Sequence, residues 1–270
     1  MKTRNPVRRQ RNGFSLLEML LVVGILGVIS AGILAQMDVA QQRGYSEQVK
    51  LDDFQEARDF VDQFFRDINQ IGYPSSRLVD TTSLLWAPAL TTQATYPSAS
   101  PYIFDNRMAI GLVSIGNDSV QFEGDMIGNG IVQSVIYQVN GSGSCTLCLQ
   151  RSQVDKISAD PLTGQATNWG TEVNDVLNSS TLNNGTTACI FTYYKADGTP
   201  IPSASLPLDI STTAGAQTIA SIKTIKLTLQ IRNNSVIDPK TNQAIETNFE
   251  GEVSINNCSM ATTGRPESCQ

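Results

Sequence analysis

Histidine is missing from all 270 residues. That removes every mechanism needing an imidazole base, a His-ligated zinc or a Ser-His-Asp arrangement. No phosphate-cradling glycine-rich loop followed by Lys and Ser or Thr occurs, nor any strand, GxGxxG and helix in succession. Charged residues make up only 16% of the chain against 40% hydrophobic ones, which excludes both a disordered and a collagen-like protein and leaves one ordinary domain plus extras. Acids are absent before Gly13, where Lys2, Arg4, Arg8, Arg9 and Arg11 supply five of the 19 basic residues. Beyond that cluster 14 basic residues face 25 acidic ones, a formal charge of −11. So acidic a body repels a phosphate backbone, and general nucleic-acid binding is not expected.

What is present in force is a long apolar run. Phe14 to Leu34 contains one ionisable side chain, Glu18, and is long enough as a helix to cross a hydrocarbon core of roughly 30 Å. The basic cluster before it stays cytoplasmic, placing residues after about Gln36 across the inner membrane. A cleavable secretory signal is the alternative, with a small-x-small site near Ala31 to Ala35. Against it stands Glu18, because a carboxylate in a membrane helix costs up to about 3 kcal/mol unless it has a partner.

The residues Gly13-Phe14-Ser15-Leu16-Leu17-Glu18, after a short basic leader and before an unbroken apolar helix, resemble the processing site of type IV prepilins and type II secretion pseudopilins. The resemblance implies cleavage between Gly13 and Phe14 by a prepilin peptidase, N-methylation of Phe14, and a Glu18 carboxylate that pairs with the terminal amine of a neighbouring subunit. Two charges in an apolar bundle then compensate one another. Gly24, Gly27, Ala31 and Ala35 follow at spacings of three, four and four, a stripe of small residues on which another helix can pack closely. Ala35 stands about where many major pilins carry a helix-bending proline.

Past Met37 the chain turns polar but keeps a helical period. Phe54, Ala57, Val61, Phe64, Ile68 and Ile71 alternate spacings of three and four, with Asp52, Asp53, Glu56, Arg58, Asp59, Asp62, Arg66 and Asp67 on the other faces. One helix over about 14–71 is expected, stopped by Gly72 and Pro74, and the acidic cluster reads as a solvated face, not a metal site. Arg66 to Pro74 is similar to a stretch of PilW-type minor pilins and J-type pseudopilins. After a loop-rich passage, 75–101, strands are expected over 108–115, 119–123, 131–139, 145–151, 188–195, 219–232 and 249–256, with 152–187 as a loop insertion. In the 219–232 run Ile225, Leu227, Leu229 and Ile231 alternate with Thr224, Lys226, Thr228 and Gln230, the pattern of a strand buried on one side.

The expected fold is α+β: a long N-terminal helix, membrane half plus amphipathic half, packed on an antiparallel sheet head, as the resemblance also implies. The chain divides into a leader (1–13), a transmembrane assembly helix (14–37), an amphipathic helix (38–73) and an extracytoplasmic head (74–270). Cys145, Cys148, Cys189, Cys258 and Cys269 all lie in the head, in an oxidising compartment. Five is odd, so one at least is free or pairs between chains. Cys258 with Cys269, and Cys189 with Cys145 or Cys148, are candidate pairs. The C-x-x-C of Cys145 and Cys148 lacks the second pair of a zinc ribbon and the helix start of a redox motif. Glu123 with Asp125, and Glu250 with Glu252, read as solvated.

No catalytic site, metal or cofactor is expected. The favoured function is that of a minor pilin inserted in the inner membrane, joining other pilins on an assembly platform. A J-type pseudopilin is the alternative from the same family, an adhesion or DNA-uptake module using loops 75–101 and 152–187 is a third reading, and a membrane-anchored enzyme has no constellation behind it.

Overall fold

The structure, a computed structural model, describes residues 15–73, 109–140, 147–157, 161–162, 164–178, 189–238, 241 and 243–256. Helix α1 runs unbroken from Leu16 to Gln70, about 80 Å at 1.5 Å per residue. Nothing in that stretch is proline, and the helix stops where Gly72 takes φ +74, a left-handed conformation that a side chain resists.

Among the described residues nine strands follow: β1 (Leu112–Ile115), β2 (Ser119–Gly124), β3 (Gln133–Asn140), β4 (Cys148–Asp155), β5 (Trp169–Val173), β6 (Phe191–Lys195), β7 (Leu208–Asp209), β8 (Ile222–Asp238) and β9 (Gln243–Ser254). They form a six-stranded sheet in the order β5-β4-β3-β2-β1-β7 and a three-stranded sheet β6-β8-β9. Every pairing is antiparallel. A long N-terminal helix on an antiparallel head is therefore the architecture, and both sheets and about the last four turns of α1 share one core.

The helix stripe enters that core largely as its period dictates. Ala57, Phe64, Ile68 and Ile71 are fully buried, joined by Phe60, which the predicted stripe omits. Phe54 departs from expectation: it is 46% exposed and lies on the flank, its ring 4.7 Å from that of Phe249. Val61 is half-buried. Around Tyr137 the rings of Phe60 and Phe64 meet it edge-on at 5.7 and 5.4 Å, while Phe64 stacks on Phe191 of the other sheet at 5.5 Å. Such pairs add about 0.5–1.5 kcal/mol each beyond burial.

Two sequence expectations need correction. The stretch 152–187 is not a loop insertion throughout: β4 continues to Asp155, β5 forms the sheet edge, and Val173 and Val176 are fully buried. A second helix, α2 (Thr213–Ala220), precedes β8 and takes Ile219 out of the strand expected there. Ile222, which precedes the alternation read from Ile225 onward, is 2% exposed, where the register with β6 shifts between Tyr194 and Lys195. The hairpin expected across residues 140–144 is present as the β3-β4 pair; its turn and the passage 75–101 lie outside the described residues.

Candidate assembly helix and its attachment to the head

Every residue from Ser15 to Tyr45 is exposed. The apolar window of α1 has a mean hydropathy of 2.4 with none of it buried, and Leu16, Leu17 and Val28 are 83%, 78% and 76% exposed. A soluble monomer does not leave so large an apolar surface in water, so lipid or other helices must cover it. Its length and composition suit a membrane span.

Glu18 lies in the first turn, where the positive end of the helix dipole favours a carboxylate. Ser15 caps that end through its backbone, its carbonyl accepting from the N–H of Glu18 at 3.0 Å and of Met19 at 3.2 Å, and its hydroxyl makes no capping bond. Gly24, Gly27, Ala31 and Ala35 are all exposed. A Cβ at Gly24 or Gly27 would meet nothing within 4 Å, so no contact inside the molecule demands glycine there. Gly13 and Phe14 lie outside the described residues.

The other half of α1 is fixed to the head by polar contacts that the sequence did not announce. Asp67, 3% exposed, accepts hydrogen bonds from Tyr137 Oη at 2.7 Å, Gln63 Nε2 at 2.7 Å and Arg151 Nε at 2.8 Å, and pairs with Arg151 Nη2 at 2.7 Å. Arg151 also bonds Gln153. This corrects the reading of the acidic cluster as wholly solvated. The available signal was position: Asp67 falls between Phe64 and Ile68 on the core-facing side. Burial, then the charge of Asp67, pushes the Tyr137 hydroxyl well above the usual tyrosine range, against the pull of Arg151. Glu172 beside this group is raised by burial first, although Arg151 opposes it.

The helix end is tied to the sheet as well. Gly72 N–H donates to Glu123 O at 2.9 Å and Asp125 N–H to Tyr73 O at 2.8 Å, while Ile71 bridges to Gly124. Closer to the membrane half, Glu56 accepts from Asn174 N and Nδ2 at 2.9 and 3.0 Å. Asn233 Nδ2 reaches Asp53 at 3.4 Å.

Glu123 and Asp125 are not solvated either. Glu123 and Lys156 form an ion pair at 2.8 Å with both side chains at 0% exposure, and Ile110 N–H donates to the same carboxylate at 3.1 Å. Asp125 accepts from the backbone of Gly128, Asn129 and Gly130 and so shapes the β2-β3 loop. Glu250, by contrast, is exposed and pairs with Lys226 at 3.0 Å.

Cys148 opens β4, 3% exposed, with its Sγ 3.3 Å from Asn174 Oδ1. Cys189 is a free thiol in the structure, donating to Asn117 Oδ1 at 3.2 Å, so the pairing of Cys189 with Cys145 or Cys148 is not formed. Cys145, Cys258 and Cys269 lie outside the described residues. Among the described residues no group of three or more His, Cys, Asp or Glu side chains is placed to hold a metal ion.

Comparison with known proteins adds one finding. Residues 8–34 match the family model described as the prokaryotic N-terminal methylation motif. No curated protein and no solved structure matches the chain. The matched residues contain Gly13, Phe14 and Glu18 and run into the exposed apolar half of α1. With that motif, its long apolar N-terminal helix and its antiparallel head, the chain fits the type IV pilin and pseudopilin family.

Proposed function

We propose that this chain is a minor pilin. It enters the inner membrane with its leader cytoplasmic and its head periplasmic, is cut between Gly13 and Phe14 by a prepilin peptidase, is N-methylated on Phe14, and joins other pilins through α1. The observation that carries the reading is the match of residues 8–34 to the methylation motif, at the start of a helix whose residues Ser15 to Tyr45 are all exposed.

Glu18 then pairs with the methylated amine of a neighbouring Phe14, which supplies the partner a carboxylate in lipid requires. The stripe of Gly24, Gly27, Ala31 and Ala35 takes the neighbouring helix at close range. Disulfides of the head, Cys258 with Cys269 among them, form in the oxidising compartment.

Intact-mass and N-terminal analysis of protein isolated from its own membranes tests this. The expected product begins with N-methyl-Phe14; an unprocessed chain, or a cut near Ala35, overturns the reading. Glu18→Ala is expected to leave cleavage intact and to lower incorporation into pili. Normal incorporation of that variant removes the charge pair from the mechanism. Loss of exoprotein release with pili intact, on deletion of the whole chain, assigns it instead to a secretion pseudopilus.

A further inference from the structure

Among the described residues two buried side-chain atoms have no hydrogen-bond partner, Glu123 Oε1 and Ser134 Oγ. Their residues stand directly opposite one another in the β2-β3 register, so both side chains leave the same face of the six-stranded sheet, with Cβ atoms about 5 Å apart. Lys156 is on that face too. Its N–H bonds Val132 O, which carries the β3-β4 register one step past Asp155, and Val132 lies two residues from Ser134. Lys156 Nζ is 2.8 Å from Glu123 Oε2, with both side chains at 0% exposure. Buried polar atoms are nearly always paired, and a buried ion pair must offset the loss of solvent around two charges. A carboxylate with one oxygen unpaired does so poorly.

We propose that Glu123 and Lys156 condense into an amide, a covalent cross-link that runs from β2 across β3 to the residue following β4. The reactants are already in contact. Nζ, 2.8 Å from Oε2, is within about 4 Å of the carboxyl carbon, close to the roughly 3–3.5 Å of a reacting pair. In water the solvated ammonium and carboxylate resist condensation; held together without water they gain an effective molarity on the order of 10⁵ M or more.

The step balances without a co-reactant. A proton passes from the Lys156 ammonium to the Glu123 carboxylate, leaving an amine and an acid. The Nζ lone pair then bonds to Cδ, and negative charge gathers on Oε2, where Ile110 N–H already donates at 3.1 Å. A proton from Nζ, relayed by the Ser134 hydroxyl, lets Oε1 depart as water while the carbonyl reforms on Oε2. One C–O bond breaks, one C–N bond forms, and nothing is oxidised or reduced. The product carries no charge and has expelled the oxygen that lacked a partner. It also clamps the strands that hold α1, since Gly72 N–H donates to Glu123 O while β3 and β4 supply Tyr137 and Arg151 to Asp67. The reaction needs only the folded head, so the proposal goes beyond the pilin reading and does not rest on it.

An ordered water between Oε1 and Ser134 Oγ is the other way to satisfy both atoms, and it leaves the mass of the chain unchanged. Mass spectrometry of the full chain, purified from its own membranes in detergent and reduced, separates the two. The expected chain is lighter by one water than its sequence requires. Trypsin does not cut after an acylated lysine, so residues 108–151 should be released joined to residues 152–195, with fragmentation placing the bond between Glu123 and Lys156. Lys156→Arg keeps a cation and should restore the full mass; Ser134→Ala should raise the unlinked fraction of newly made chain several-fold. Full mass in the unaltered chain, with Glu123 and Lys156 in separate peptides, overturns the proposal, as does a lost water that maps elsewhere. The unaltered chain gives this answer even where a variant fails to fold.

Discussion

Removing the Asp67 carboxylate is the sharpest test of how the helix is held. Asp67→Ala strips three donors of their acceptor at once: Tyr137 Oη, itself fully buried, the guanidinium of Arg151, whose side chain is 13% exposed, and Gln63 Nε2. A hydroxyl left unsatisfied in a core costs about 1–3 kcal/mol. Breaking a buried ion pair from one side costs about 3–5 kcal/mol, because the remaining charge loses its compensation. These costs overlap, since both donors meet the same oxygen, so Asp67→Ala is expected to lose roughly 3–5 kcal/mol in total. Asp67→Asn keeps an acceptor and should lose less. Arg151→Met removes the stranded cation, so the double variant Asp67→Ala, Arg151→Met should recover on the order of 1–3 kcal/mol relative to the sum of the single changes. Urea unfolding of the full chain in detergent, followed by near-UV circular dichroism of the aromatic core, measures all three. A loss below about 1 kcal/mol for Asp67→Ala, or strict additivity in the cycle, refutes the claim that this pair holds α1 to the six-stranded sheet.

Three further outcomes follow from the packing. A Cβ at Gly124 would collide with the backbone carbonyl of Gln70 and with the Met126 side chain, so Gly124→Ala should lower stability by about 1–3 kcal/mol in the same unfolding assay. Phe60→Ala should cost about 3–5 kcal/mol; Phe54→Ala, on a side chain 46% exposed, should cost clearly less, and equal losses contradict the observed rotation of the stripe. Burial holds the Tyr137 and Tyr193 hydroxyls well above the usual tyrosine range. The folded protein therefore keeps protons that the unfolded chain releases, and stability should fall as pH rises above about 10; a flat profile to pH 11 in unfolding midpoints counts against it.

The helix, its end and most strands were legible because each rests on local signals. The apolar run fixes the exposed half of α1, Gly72 and Pro74 mark its stop, and the Ile225, Leu227, Leu229 and Ile231 alternation fixes which face of β8 is buried. The omissions share a different cause. Helix α2 is eight residues, Thr213 to Ala220, rich in Thr, Ala and Gly. Too short to be stable alone, it forms because Ala216, Ile219 and Ala220 are buried. Strand β5 gains its place from pairing with β4 and from Val173, not from any alternation of its own. Asp67 and Glu123 find their cations 84 and 33 residues away in sequence. Nothing in the residues flanking an acid announces so distant a partner, and the base rate for acids favours solvent.

These long-range contacts divide α1 into two halves. From Ser15 to Tyr45 no residue is buried, so in the proposed assembly that half can exchange lipid for neighbouring helices without disturbing anything folded. From Asp53 onward the same helix is secured at successive levels: to Asn233 by Asp53, to Asn174 by Glu56, to both sheets by Phe60 and Phe64, to β3 and β4 by Asp67, and to β2 through Gly72. Apolar contacts alone tolerate sliding by a turn, since one aliphatic side chain replaces another at similar cost. A buried carboxylate held by Tyr137 and Arg151 does not, because any other register strands a charge. The polar cluster at Asp67 therefore fixes the axial and rotational position of the head on its helix, and with it the direction in which every surface of the head would face in the proposed assembly.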